Sequence, residues 1–167
     1  MSKADYVHKY LPLSEYHEII KSRGEGKIIS MKAVEVDRHY ERGIHITQGI
    51  AKETCNAQDI VMGHTLVPPK SCNPRHFHLT TEAGMYIISG ELTVFLGPDA
   101  EPNIAAPGDF LYVPVGCIHG IANASDTVPV ELIATYGGVG SNDQQETYFI
   151  EESPDKPYPP VGWDKPA

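Results

Sequence analysis

The chain has 167 residues, a length that suffices for one domain with an apolar core. Of these residues 41% are hydrophobic and 21% are charged, a composition unlike that of a disordered or collagen-like chain. Its 13 basic and 22 acidic residues leave a formal net charge of -9, which repels a phosphate backbone and argues against nucleic acid as a partner. No apolar stretch approaches the roughly 20 residues of a membrane span, and residues 1–10 do not resemble a signal peptide, so we expect a cytoplasmic protein without a membrane partner.

Residues 1–50 are expected to form an N-terminal extension with a short helix and edge strands. The helix is predicted from Leu13 to Gly24, because Ser14 can cap its start and Gly24 can end it. Strands after the helix could cover unpaired backbone groups at a sheet edge, or exchange between the subunits of a dimer.

From Lys27 onward the sequence changes to short β-favouring runs separated by turn residues. The predicted strands are Ile28 to Val36, Gly43 to Ile50, Ile60 to Val67, Arg75 to Leu79, Tyr86 to Leu96 with a break at Gly90, Phe110 to Val113, Ile118 to Ala122, Val128 to Tyr136 and Thr147 to Ile150. Short strands at nearly regular spacing are typical of a sandwich or barrel, which we assign to residues 51–140. If the ring of Phe110 is buried in the sheet core, replacing it by alanine should cost about 3 to 5 kcal/mol.

Residues 141–167 are expected to hold the last strand and an extended proline-rich tail. The prolines after residue 153 cannot pair in the middle of a sheet. The ring of Trp163 is costly to leave in water, so we expect it to dock on the barrel or on a neighbouring subunit. The alternatives are a tail that caps the barrel mouth and a loose terminus.

Two histidines two residues apart are the first candidate metal ligands. On a strand, His76 and His78 project from the same face and can reach one ion, whereas on a helix they point to nearly opposite sides. Glu82 follows where the strand is expected to end or bend, and its carboxylate could supply a third ligand. Clusters of histidine and carboxylate are the ligand sets that such sites need.

A second segment, residues 108–123, places a turn at Pro114 and Gly116 and delivers His119 at the start of a new strand. This segment resembles the second motif of the cupin superfamily, and the matching residues are Gly108, Pro114, Gly116, His119 and Asn123. The first segment is similar to the first cupin motif, and the matching residues are His76, His78, Glu82 and Gly90.

Two features depart from the first motif. Lys70 stands where the family has a glycine, so the turn at this position has to form without glycine. The interval from Glu82 to Gly90 is one residue longer than in the commonest form, and this predicts a bulge near Ala83 and Gly84.

The resemblance covers about residues 60–136. It implies an all-β fold, the double-stranded β-helix of the cupin or jelly-roll barrel, which is often dimeric. It also implies a metal held by three histidines and one glutamate, here His76, His78, His119 and Glu82. We therefore expect a small-molecule substrate and a homodimer. The candidate pocket residues are Phe77, Met85, Tyr86, Ile88, Phe95, Tyr112 and Ile121.

The expected cofactor is one divalent transition metal: Fe, Mn, Ni, Co or Zn. Three imidazoles and a carboxylate fill the four positions of tetrahedral zinc, whereas an ion that prefers six ligands keeps two positions for substrate or dioxygen. Our leading hypothesis is a metal-dependent enzyme that acts on a small oxygenated organic molecule, in particular a dioxygenase. One alternative is a non-oxidative isomerase, lyase or decarboxylase in which Glu82, or a nearby tyrosine, transfers protons. Another is a non-catalytic small-molecule sensor.

Overall fold

Ten short strands carry the fold in the computed structural model, which describes residues 9–16, 26–38, 41, 43–151 and 158. The strands are β1 (His45–Ile50), β2 (Ile60–Val67), β3 (His76–His78), β4 (Ala83–Ser89), β5 (Leu92–Leu96), β6 (Glu101–Ala105), β7 (Phe110–Val113), β8 (His119–Ala122), β9 (Val130–Gly137) and β10 (Thr147–Phe149). A one-turn helix, α1 (Lys52–Cys55), follows β1, and the short 3-10 helices are Leu13–Glu15, Met31–Ala33 and Asn142–Gln145.

The strands form two antiparallel five-stranded sheets. The first has the order β1-β2-β9-β4-β7 and the second the order β10-β3-β8-β5-β6. Strands that follow each other in the chain often lie in opposite sheets, as β3 and β4 do, while β2 pairs with the distant β9 along its whole length. This winding confirms the all-β, double-stranded β-helix fold.

The apolar core lies between the two sheets. Its fully buried side chains include Val61 of β2, Ile87 of β4, Leu92 of β5 and Leu132 of β9. Burial alternates along β2 and β9, as expected for strands with one face against a core. Burying each such side chain stabilises the fold by about 1.5 to 3 kcal/mol.

Two N-terminal elements differ from the prediction. Within residues 26–38, the expected strand Ile28 to Val36 is replaced by the 3-10 helix Met31–Ala33, and Ile28 is exposed. Of the predicted helix, Leu13–Glu15 form a 3-10 helix, and residues 17–24 lie outside the described residues. None of the helices in the described ranges is long and apolar enough to cross a membrane.

Strand β6 was not predicted, because Pro102 interrupts its pattern. This strand pairs with β5 alone, at the edge of its sheet. A proline is tolerated there since its missing N–H is not needed by a second neighbour.

The predicted strand Phe110 to Val113 is confirmed as β7, but the ring of Phe110 is 83% exposed. This ring packs against Tyr86, with 4.9 Å between the ring centroids. The expectation that Phe110 is buried in the core is therefore wrong.

The two departures from the first motif have different outcomes. Lys70 adopts the left-handed backbone conformation with φ of 57°, so the turn is kept although it lacks the glycine that favours it. The extra residue does not produce a bulge at Ala83 and Gly84, which pair regularly with both neighbouring strands. The irregularity lies further along β4, where the pairing with β9 shifts register between Ile87 and Ser89.

One residue of the proline-rich tail is described, and it packs on the second sheet. The ring of Tyr158 lies edge-on to Phe95, with 5.3 Å between centroids, and the guanidinium of Arg75 lies 5.6 Å from its centroid. A Cβ atom at Gly120 would clash with the Tyr158 hydroxyl, so a larger residue there would force the Tyr158 side chain to shift. Trp163 lies outside the described residues.

Candidate metal centre

Strands β3 and β8 bring three histidine side chains together inside the barrel. His76 and His78 alternate with the outward Phe77 on β3, and His76 pairs across the sheet with His119, the first residue of β8. All three histidines are buried, and one nitrogen from each lies within 4.8 Å of the others. The strand geometry predicted for the two-residue spacing is confirmed, and the three side chains could hold one metal ion.

The hydrogen bonds at Nδ1 determine which nitrogen of each ring faces the interior. Nδ1 of His76 donates to the Pro74 carbonyl at 2.9 Å, and Nδ1 of His119 donates to the Cys117 carbonyl at 3.0 Å. A carbonyl oxygen only accepts, so a neutral ring must carry its proton on Nδ1 and leave the Nε2 lone pair free. Nδ1 of His78 is hydrogen-bonded to the Thr147 hydroxyl at 2.9 Å.

The Nε2 atoms of the three histidines are buried, and none has a hydrogen-bond partner among the described residues. Such atoms are costly unless a partner is bound. Three converging imidazole lone pairs are a donor set that suits a divalent transition metal.

Burial keeps these imidazoles neutral at ordinary pH. Burial is the main reason why the pKa of His76 is lowered. It also lowers the pKa of His78 to about 3, helped by the neighbouring His76 and His119, and that of His119 to about 4, helped by His76. The neutral imidazole is the form that binds a metal, so none of the three histidines has to lose a proton before it can bind an ion.

Glu82, predicted as a ligand and as the catalytic group, does not join the three histidines. Its side chain is exposed, and its carboxylate accepts a hydrogen bond of 2.7 Å from the exposed Tyr112 hydroxyl. Both neighbours, Thr81 and Ala83, are buried, so strand alternation turns the residue between them outward. The hydrogen bond to Glu82 raises the pKa of Tyr112.

Glu41 brings a carboxylate to the histidines instead. Its side chain is only 4% exposed, and its Oε1 atom lies 3.9 Å from Nε2 of His76. Its Oε2 atom accepts a hydrogen bond from the side-chain amide of Asn73. Burial raises the pKa of the Glu41 carboxyl group. Sequence reasoning missed this residue, because it lies in a charged N-terminal stretch far from either motif.

A small cavity of about 10 Å³ adjoins His76 and His119. Apolar side chains form much of its wall, and they include Ile44, Ile46, Met85, Ile121 and Leu132. Tyr136 also lines it and packs edge-on against His78, with 5.5 Å between centroids. This is the space of about one water molecule or ion, so a larger ligand requires the surrounding side chains to move apart.

Two of the seven predicted pocket residues, Met85 and Ile121, line this cavity. Phe95 is buried in a separate cluster with Cys72 and Ala122. Phe77 stacks on Tyr148. The remaining three are exposed: Tyr86, Ile88 and Tyr112.

Comparisons with known proteins agree with this architecture. The family model described as "Cupin domain" matches residues 63–136. Among solved structures, the polyketide cyclase RemF from Streptomyces resistomycificus is 17% identical with a TM-score of 0.63, over 79% of this chain and 90% of its own.

A sugar phosphate isomerase of the cupin superfamily from Silicibacter pomeroyi is 14% identical with a TM-score of 0.58, over 75% of this chain and 83% of its own. A predicted oxalate decarboxylase from Thermotoga maritima is 18% identical with a TM-score of 0.56, over 68% of this chain and 100% of its own. At these identities the likeness shows a shared fold. None of the curated proteins matches the chain.

Proposed function

Because residues 63–136 match the cupin domain model, we propose that the chain is a cupin and a metal-dependent enzyme acting on a small oxygenated organic molecule. The observation that carries this proposal is the convergence of three buried histidines whose Nε2 atoms have no hydrogen-bond partner among the described residues. Buried polar atoms without partners concentrate at functional sites, since a purely structural core would satisfy or replace them.

His76, His78 and His119 would hold the ion through Nε2. With or without one carboxylate ligand, three imidazoles leave at least two positions open on an ion that prefers six ligands, such as Fe, Mn, Ni or Co, whereas zinc keeps an open position only without the carboxylate or by expanding its shell. When bound, such an ion supplies a Lewis acid that polarises a substrate oxygen. The apolar wall of the cavity would limit the access of water to that position.

The reaction we favour is non-oxidative: an isomerisation or an elimination of the lyase type. Tyr136 lines the cavity beside His78 and can transfer a proton to or from the substrate. The names of the similar structures, a cyclase, an isomerase and a predicted decarboxylase, support the same class of chemistry.

The dioxygenase predicted from the sequence stays the second candidate. The cavity wall of isoleucine, methionine and leucine favours an uncharged ligand such as dioxygen next to the histidines. Both candidates use the same three imidazoles and differ in whether dioxygen is consumed.

Turnover with and without oxygen tests the proposal. Metal-free protein would be loaded separately with Fe(II), Mn(II), Co(II), Ni(II) or Zn(II) and assayed against hydroxy acids, diketones, phenols and sugar phosphates. We expect metal-dependent product formation that continues under anaerobic conditions. Turnover that stops without oxygen and consumes it in proportion to product would favour the dioxygenase. The absence of turnover with every metal would favour the sensor. A homodimer stays a prediction that light scattering can test.

A further inference from the structure

A buried carboxylate from outside both sequence motifs lies beside His76 and His119. Glu41 lies upstream of β1, yet it lines the same cavity as His76 and His119. We propose that Glu41 is the carboxylate ligand of the metal centre, in the role that the first motif would give to Glu82. The inference rests on the proposed function, because it requires that the histidines hold an ion.

The burial of Glu41 argues for a cationic partner. The side chain of Glu41 is only 4% exposed, and the one hydrogen bond from Asn73 to Oε2 offsets only part of the cost of removing a carboxylate from water. In the described part of the chain, the cavity wall contributes no lysine or arginine to compensate its charge. A divalent ion at the three Nε2 atoms would supply that compensation at the face where Oε1 of Glu41 lies 3.9 Å from His76.

Asn73 fixes which oxygen of Glu41 is available. Its Oδ1 atom accepts a hydrogen bond of 2.7 Å from the backbone N–H of Ile121, and its own backbone N–H donates to the Ile121 carbonyl at 3.1 Å. The side-chain NH2 group must therefore point away from β8, and it donates to Oε2 of Glu41. This leaves Oε1 for the ion.

The same hydrogen bonds couple the carboxylate to a ligand strand. Ile121 lies two residues after His119 on β8, so Asn73 ties Glu41 to the strand that carries one imidazole. Ligands of a metal are commonly oriented in this way by a partner that is itself held by the backbone. Glu82 has no comparable support, since its one described side-chain partner is the exposed Tyr112.

Substitution of the two glutamates by glutamine separates the alternatives. Glu41→Gln keeps the shape of the side chain and an oxygen that can accept from Asn73, so the fold should persist; Glu82→Gln makes the same chemical change outside the barrel. Metal-free wild type and both variants would be titrated with Co(II), followed by the visible absorption of the ion, bound-metal analysis and thermal unfolding.

We expect Glu41→Gln to weaken Co(II) binding by roughly tenfold or more and to change the visible spectrum, while Glu82→Gln matches the wild type. Without metal, Glu41→Gln should unfold at the same or a higher temperature, because a buried carboxylate is removed; with Co(II) it should gain less stability than the wild type. Glu41→Asp keeps the charge on a shorter stem and should bind Co(II) more tightly than Glu41→Gln.

Two results would overturn the inference in different ways. Wild-type affinity and an unchanged spectrum in Glu41→Gln would remove Glu41 from the ligand set and leave the histidine site standing. Failure of the wild-type protein to bind Co(II) would overturn the metal site itself, and with it both the proposed function and the role of Glu41.

Discussion

His119 shows how a single side chain is prepared for metal binding. Its Nδ1 atom already donates to the Cys117 carbonyl, and its buried Nε2 atom faces the cavity. We predict that His119→Ala loses most of the bound metal and stays folded, because the apolar core supplies most of the folding free energy. Metal analysis together with circular dichroism measures both properties.

His64→Ala is the matched control for this substitution. His64 lies on β2 and pairs with Glu131 at 3.6 Å, away from the cavity, so its removal should leave the metal content unchanged. Retention of the metal by His119→Ala would refute the assignment of this histidine as a ligand.

Tyr136 is the residue whose hydroxyl we expect to act on the substrate. Tyr136→Phe keeps the ring against His78 and removes only the hydroxyl. We predict that kcat falls by roughly 10² to 10⁴-fold, while metal content and thermal stability stay close to those of the wild type. Steady-state kinetics with the substrate found in the anaerobic screen would measure this fall in kcat. An unchanged kcat would show that Tyr136 only lines the cavity.

The orientation of β7 predicts which aromatic residues matter for stability. Val113 is buried, whereas Phe110 is 83% exposed on the outer face beside Tyr86. We predict that Phe110→Ala changes the free energy of unfolding by less than about 1 kcal/mol, whereas Leu132→Ala costs about 2 to 5 kcal/mol because it leaves a cavity in the core.

Urea denaturation of the two variants gives this comparison directly. A cost for Phe110→Ala as large as that for Leu132→Ala would contradict the exposed position of the ring and would indicate that another subunit covers it.

Most strands were predictable from short β-favouring runs between turn residues, and burial alternates along β2, β3, β4 and β9. β2 and β7 match the predicted bounds, and the strand that carries His76 and His78 was required by their spacing. The edge strand β6 was not, because its four exposed residues give no apolar period.

The turn before His119 was also predictable, for a physical reason. Gly116 has φ of 76°, and its N–H donates to the His78 carbonyl at 2.8 Å. This hydrogen bond therefore holds the turn before His119 against the segment that carries His76 and His78. Glycine is favoured at such a φ because it has no Cβ atom to clash.

The carboxylates show the limit of sequence reasoning at the scale of the whole molecule. The backbone conformation between β3 and β4 decides whether the Glu82 side chain points into the barrel or out of it. The spacing of the motif residues alone does not determine that conformation. Glu41 lines the cavity, where Asn73, held by β8, positions its carboxylate. Contacts between such distant segments leave no periodic signal in the sequence.

The buried cluster as a whole makes the stability of the metal-free protein depend on pH. The pKa of each of the three histidines is lowered by folding, so the unfolded chain binds more protons than the folded one below the ordinary histidine value of 6.5. Stability is therefore fully present above about pH 6.5 and is lost as the pH falls towards about 4 and 3, the folded values for His119 and His78.

Glu41 acts in the opposite direction, because burial raises its pKa and its contribution is lost as the pH rises above 4.5. Three imidazoles outnumber one carboxylate, so we predict a net loss of stability when metal-free protein is taken from pH 7 to pH 4. Urea denaturation at a series of pH values measures the loss, and His78→Asn should make it shallower because one of the buried imidazoles is removed. Stability that stays constant over this range, or an equally steep loss in His78→Asn, would mean that the imidazoles of the metal-free protein are open to water and take up protons without unfolding.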